Sequence, residues 1–69
     1  MTTIEEKFGK RVKELRKERN ISQEELSFRC RLHRNYISDL ERGKRNVSLK
    51  AISQIAEGLG VTIATLFEK

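Results

Sequence analysis

Six consecutive positions, His33 to Ser38 in the stretch "LHRNYISDLERGKRN" (residues 32–46), hold His33, Arg34, Asn35, Tyr36 and Ser38, all hydrogen-bonding side chains. Arg34 carries a planar fork that matches the paired O6 and N7 acceptors of guanine, and the Asn35 amide can do the same for adenine. Tyr36 can reach a phosphate or lay its ring edge against a thymine methyl group. Ser38 falls on the helical face of Arg34 and Asn35, although by itself it is also an ordinary surface serine. Ile37 and Leu40 occupy the opposite face, so a helix here offers the polar group outward.

A second set of groups suits the sugar-phosphate backbone. Arg42, Lys44, Arg45 and Asn46 surround Gly43 and lead into Ser48, where the free amides of another helix start are expected. Gln23, in the first turn of an earlier helix, is placed for a phosphate oxygen and is equally a plain surface residue. His33 suits either a helix cap or a phosphate donor. Charge supports this assignment: 15 Lys and Arg against 10 Asp and Glu give a net charge of +5 and a pI of about 9.8. Glu5, Glu6, Glu24 and Glu25 gather early in helices, where the helix dipole favours them, while Arg29, Arg31, Arg34, Arg42, Lys44 and Arg45 crowd one central stretch. A polyanionic partner, double-stranded DNA above all, is the expectation.

Other chemistries have little to work with. Ser38, Asp39 and His33 are near in sequence but point in different directions on a helix, so no nucleophile and base are aligned, and an enzyme is not expected. Cys30 is the only cysteine and His33 the only histidine, which excludes an internal disulfide and a structural zinc site. Cys30 fits a small core residue on the apolar side of its helix. No cofactor or small-molecule ligand is implied. Apolar runs such as Gly60 to Ala64 fall far below a membrane span, and the start "MTTIEEKF" is acidic where a signal peptide would be basic. A cytoplasmic protein with no membrane partner is expected.

Helices must position these groups. Prolines are absent and aromatic residues few. Ile4, Phe8, Val12 and Leu15 form one stripe of a helix from about Ile4 to Arg19. A pattern then repeats four times, an apolar residue, a cap candidate and, five positions after the first, another apolar residue: Ile21, Ser22, Leu26; Leu32, His33, Ile37; Val47, Ser48, Ile52; Val61, Thr62, Leu66. This is the hydrophobic staple at a helix entrance, and Ser22 with Glu25 completes a capping box. Gly43 and Gly60 supply left-handed stops. Helices over roughly 22–29, 33–42, 48–58 and 62–68 follow, giving an all-α, compact five-helix globule. It forms a single domain over residues 1–69 with a core of Phe8, Val12, Leu15, Leu26, Leu32, Ile37, Leu40, Ile52, Ile55, Ala56 and Leu59. Ile63, Leu66 and Phe67 exceed what so short a last helix can bury on one side, which points to association.

The second and third helices are joined by about three residues, which forces one across the other as a central helix-turn-helix. The stretches "ISQEEL" (21–26), "YISDLERGKRNVSL" (36–49) and "IAEGLGV" (55–61) resemble the Cro and phage-repressor type of helix-turn-helix regulators, often called XRE-like. Among these, "HRNYISDLERGKRNVSL" is similar to the recognition helix and loop of the controller proteins of restriction-modification systems. The resemblance implies a homodimeric transcriptional regulator on an inverted-repeat operator. In that family the positions matching Arg34, Asn35 and Tyr36 meet the operator, and the last helix, carrying Ile63, Leu66 and Phe67, helps form the dimer. Two residues depart from the pattern. Ser27 replaces a common alanine, and Arg31 stands where glycine or a small polar residue takes the turn, at a cost of about 1 kcal/mol or more if φ is positive. The alternative reading is an antitoxin-like protein-interaction module on the same fold, which would carry fewer exposed Arg and Lys around its third helix.

Overall fold

In the computed structural model, which describes residues 2–68, the chain forms α1 (Ile4–Glu18), α2 (Gln23–Cys30), α3 (Arg34–Glu41), α4 (Leu49–Leu59) and a 3-10 turn at Ala64–Phe67. Ser22, His33 and Ser48 are the N-caps, accepting from the amides of Glu25, Asn35 and Ala51 at 3.0, 3.0 and 3.1 Å. The residues before the four expected caps, Ile21, Leu32, Val47 and Val61, are each partly buried against the core, as staples require.

Two capping details differ from the sequence expectation. The reciprocal capping box is at Thr3 and Glu6, where Thr3 Oγ1 accepts from the Glu6 amide at 3.1 Å and Glu6 Oε1 from the Thr3 amide at 2.9 Å. At Ser22 only half a box forms, because the Glu25 carboxylate accepts from Arg29 Nε at 2.9 Å instead.

Helix ends fall where left-handed residues permit. Gly60 ends α4 with φ of 71°, and Gly43, φ 75°, lies one residue beyond Arg42, the C-cap of α3. Arg31 adopts φ 59°, the strained value its position implies, and Asn20, between α1 and α2, adopts φ 56°. The last element is not an α-helix. Ile63, not the expected Thr62, is its N-cap and gives no side-chain cap bond; Thr62 Oγ1 accepts from the Thr65 amide at 3.3 Å, and the backbone bonds, Thr65 to Thr62 O and Leu66 to Ile63 O, span three residues. The β-branched Thr62, Ile63 and Thr65 favour a single tight turn over a longer helix.

α2 packs on α4 and α3, α1 on α3, and the 3-10 turn on α1. Nine of the eleven expected core residues are buried, joined by Cys30, Ala51 and Leu66. Leu32 and Ile52 are partly buried at its rim, because each lies within the first turn or entrance of a helix where one side remains open. Burial pushes the Cys30 thiol up to about 11, so it stays protonated and unreactive at neutral pH. α1 and α3 meet backbone to backbone: a Cβ at Gly9 would collide with the Leu40 carbonyl oxygen, so no larger residue fits without parting the helices.

One buried ion pair ties this frame together. Arg16 on α1 donates from Nε to Glu41 Oε2 at 2.7 Å and from a terminal nitrogen to Glu41 Oε1 at 3.1 Å, and its other terminal nitrogen reaches the Ile21 carbonyl at 2.9 Å. Gln23 adds a bond to Glu41 Oε1 at 3.0 Å. The Glu41 side chain is 2% exposed. Two forks facing each other in parallel satisfy both charges, which is the condition under which a buried pair holds a fold.

Candidate nucleic-acid interface

The turn between α2 and α3 is only Arg31, Leu32 and His33. The Leu32 amide bonds to the Ser27 carbonyl at 3.0 Å across the left-handed Arg31, a Schellman closure that ends α2 and redirects the chain. His33 then starts α3, its Nδ1 taken up by the Asn35 amide, which leaves Nε2 as its free polar atom.

The first turn of α3 therefore projects with Arg34 and Asn35 exposed and engaged in no side-chain hydrogen bond or ion pair among the described residues. Tyr36 is half-buried, its body packed against the core and its ring 4.8 Å from the Arg45 guanidinium. Ser38 is half-buried on the same helix. Behind α3, Lys44 and Asn46 are exposed, while Arg42 and Arg45 both approach Asp39, at 2.6 and 3.7 Å. Ser48 Oγ is occupied as the α4 cap, but its hydroxyl proton remains to be donated. The arrangement brings unpaired forks and amides to one projecting turn and cations to the loop beside it. Such a surface can pair with base edges while holding phosphates.

Two residues sit differently from their expected places. The Gln23 side chain turns inward and gives one amide N–H to Glu41, which leaves its second N–H as the donor available to a phosphate oxygen. Leu66 is 0% exposed, sealed beneath the 3-10 turn, and is core; Ile63 and Phe67 beside it remain 49% and 53% exposed. Phe67 stacks on Phe8 with ring centroids 5.3 Å apart, and Ile4 extends the apolar surface across α1. Sequence reasoning missed Arg16, Asp39 and Glu41 as organising residues. Glu41 follows Ile37 by four positions on the buried stripe of α3, and that placement was the available signal.

A helix-turn-helix family profile matches residues 12–66. The chain belongs to the XRE-type helix-turn-helix family. It is accordingly a DNA-binding transcriptional regulator. Among curated members, it is 56% identical over 55 residues to control protein C.BamHI of Bacillus amyloliquefaciens, covering 78% of this chain and 68% of that one. It is 46% identical over 68 residues to control protein C.MunI of a Mycoplasma species, covering 97% and 92%. Among solved XRE-type structures, it superposes on the restriction-modification controller protein C.AhdI of Aeromonas hydrophila with a TM-score of 0.90 at 44% identity, over 91% of this chain and 96% of that one. No helix among the described residues is long and apolar enough to cross a membrane.

Proposed function

We propose that this XRE-type regulator is a controller protein of a restriction-modification system, acting in the cytoplasm as a homodimer on an inverted-repeat operator through one DNA-binding domain spanning residues 1–69. The observation that carries the reading is the free Arg34–Asn35 pair at the projecting start of α3, flanked by cations and by Tyr36. Arg34, Asn35 and Tyr36, with Ser38 behind them, read bases. His33, Arg42, Lys44, Arg45, Asn46 and Ser48 hold the backbone. Ile63 and Phe67, supported from beneath by Leu66, meet their counterparts in a second copy. Two copies of α3 then enter successive major grooves about 34 Å apart. The named relatives support the controller role.

Selection from a randomised duplex pool at physiological salt, with the bound fraction sequenced, tests the reading. An enriched inverted repeat with half-site centres one helical turn apart is the expected result. Salt-sensitive binding with no enriched sequence would overturn it and favour a protein partner for this face.

A further inference from the structure

Asp39 stands alone in unusual surroundings. Between Arg31 and Ser48 the only acidic residues are Asp39 and Glu41, and Glu41 is buried with Arg16. Asp39 is thus the one accessible negative charge of the basic stretch, its side chain 32% exposed. Its two carboxylate oxygens face different arginines, Oδ1 the Arg42 terminal nitrogen at 2.6 Å and Oδ2 the Arg45 Nε at 3.7 Å. Its carbonyl accepts from the amides of Arg42 at 3.1 Å and Lys44 at 2.9 Å, so the same residue anchors the loop that carries the cations. Beyond it, Arg45 lies over the Tyr36 ring.

A carboxylate here repels phosphates and competes with them for both guanidinium groups, which weakens binding to any duplex. What it can supply in return is orientation: its Oδ2 lies within ion-pair reach of Arg45, which itself lies over Tyr36, one of the residues proposed to read bases. Binding to unrelated DNA is electrostatic and makes no use of that orientation, whereas a specific complex needs Tyr36 in place. From this geometry we infer that Asp39 is a positioning residue that raises discrimination between operator and other DNA by restraining Arg42 and Arg45 and, through Arg45, Tyr36. The inference rests on the DNA-reading proposal above.

Asp39→Asn removes the charge and keeps the shape. Its binding to unrelated duplex should tighten by about threefold, with a salt dependence steeper by about one ion. Affinity for the selected operator should stay level or fall, so the ratio of the two drops. Tyr36 is the only tyrosine and the chain has no tryptophan, so intrinsic fluorescence and the aromatic NMR signals report its stacking directly. Both should change in the free variant. An unchanged affinity ratio, or a changed ratio with Tyr36 signals identical to the parent, overturns the inference. Absence of any sequence preference in the parent protein would instead sink the DNA-reading proposal.

Discussion

Arg34 and Lys44 carry the same charge in different circumstances. Arg34 is the first residue of α3, with its planar fork free, while Lys44 is an exposed point charge in the loop behind. A fork that pairs with one base should matter at one base pair. Arg34→Ala is expected to cost about 1–3 kcal/mol for the selected operator and to relax preference at a single position in each half-site. Lys44→Ala should weaken all duplexes alike and reduce the salt slope by about one. Anisotropy titrations against the operator and its single-base variants, at several salt concentrations, measure both. Exchange of the two patterns would reverse the assigned roles. The exposed group proposed to read bases was legible as a group because its residue types are unusual together and Arg34 and Asn35 fall opposite Ile37 and Leu40. The Arg42–Asp39 pair is an i,i+3 contact that helix periodicity permits, whereas the partners of Arg45 and Gln23 depend on a loop and a helix crossing that no periodicity records.

At the scale of elements, the starts of α2, α3 and α4 were readable from staples and caps, since those signals are local. The last element was misjudged because a cap specifies a start and not a length, and four residues rich in β-branched neighbours stop after one 3-10 turn. The Arg16–Glu41 pair was invisible for a different reason: 25 residues separate the partners, and only the close crossing of α1 and α3 at Gly9 joins them. Breaking that pair from one side should cost the frame heavily, because the remaining charge is left buried and uncompensated. Glu41→Gln leaves the Arg16 guanidinium, its side chain 11% exposed, without a counter-charge. Unfolding stability should fall by about 3–5 kcal/mol. Denaturant titration followed by circular dichroism measures it, and a loss below about 1 kcal/mol would show that solvent reaches Arg16 readily.

For the molecule as a whole, the exposed apolar residues Ile4, Ile63 and Phe67 are what a second copy would cover under the proposed dimer. Ile63→Arg changes an exposed residue and leaves the core intact, and across a twofold axis the new charge would meet itself or its near neighbours. Sedimentation equilibrium should show the dimer dissociation constant rising by about tenfold or more. Unaltered association would move the interface elsewhere. The three-residue turn at Arg31, Leu32 and His33 acquires a further meaning in such a pair. One inserted residue would disrupt the Leu32-to-Ser27 closure that aims α3, and the symmetry axis would apply the error to both half-sites. Descendants of this chain are therefore free to change residues along α2 and α3 and to lengthen at distant loops. Between Cys30 and Arg34 an alignment of them should contain substitutions but no gaps.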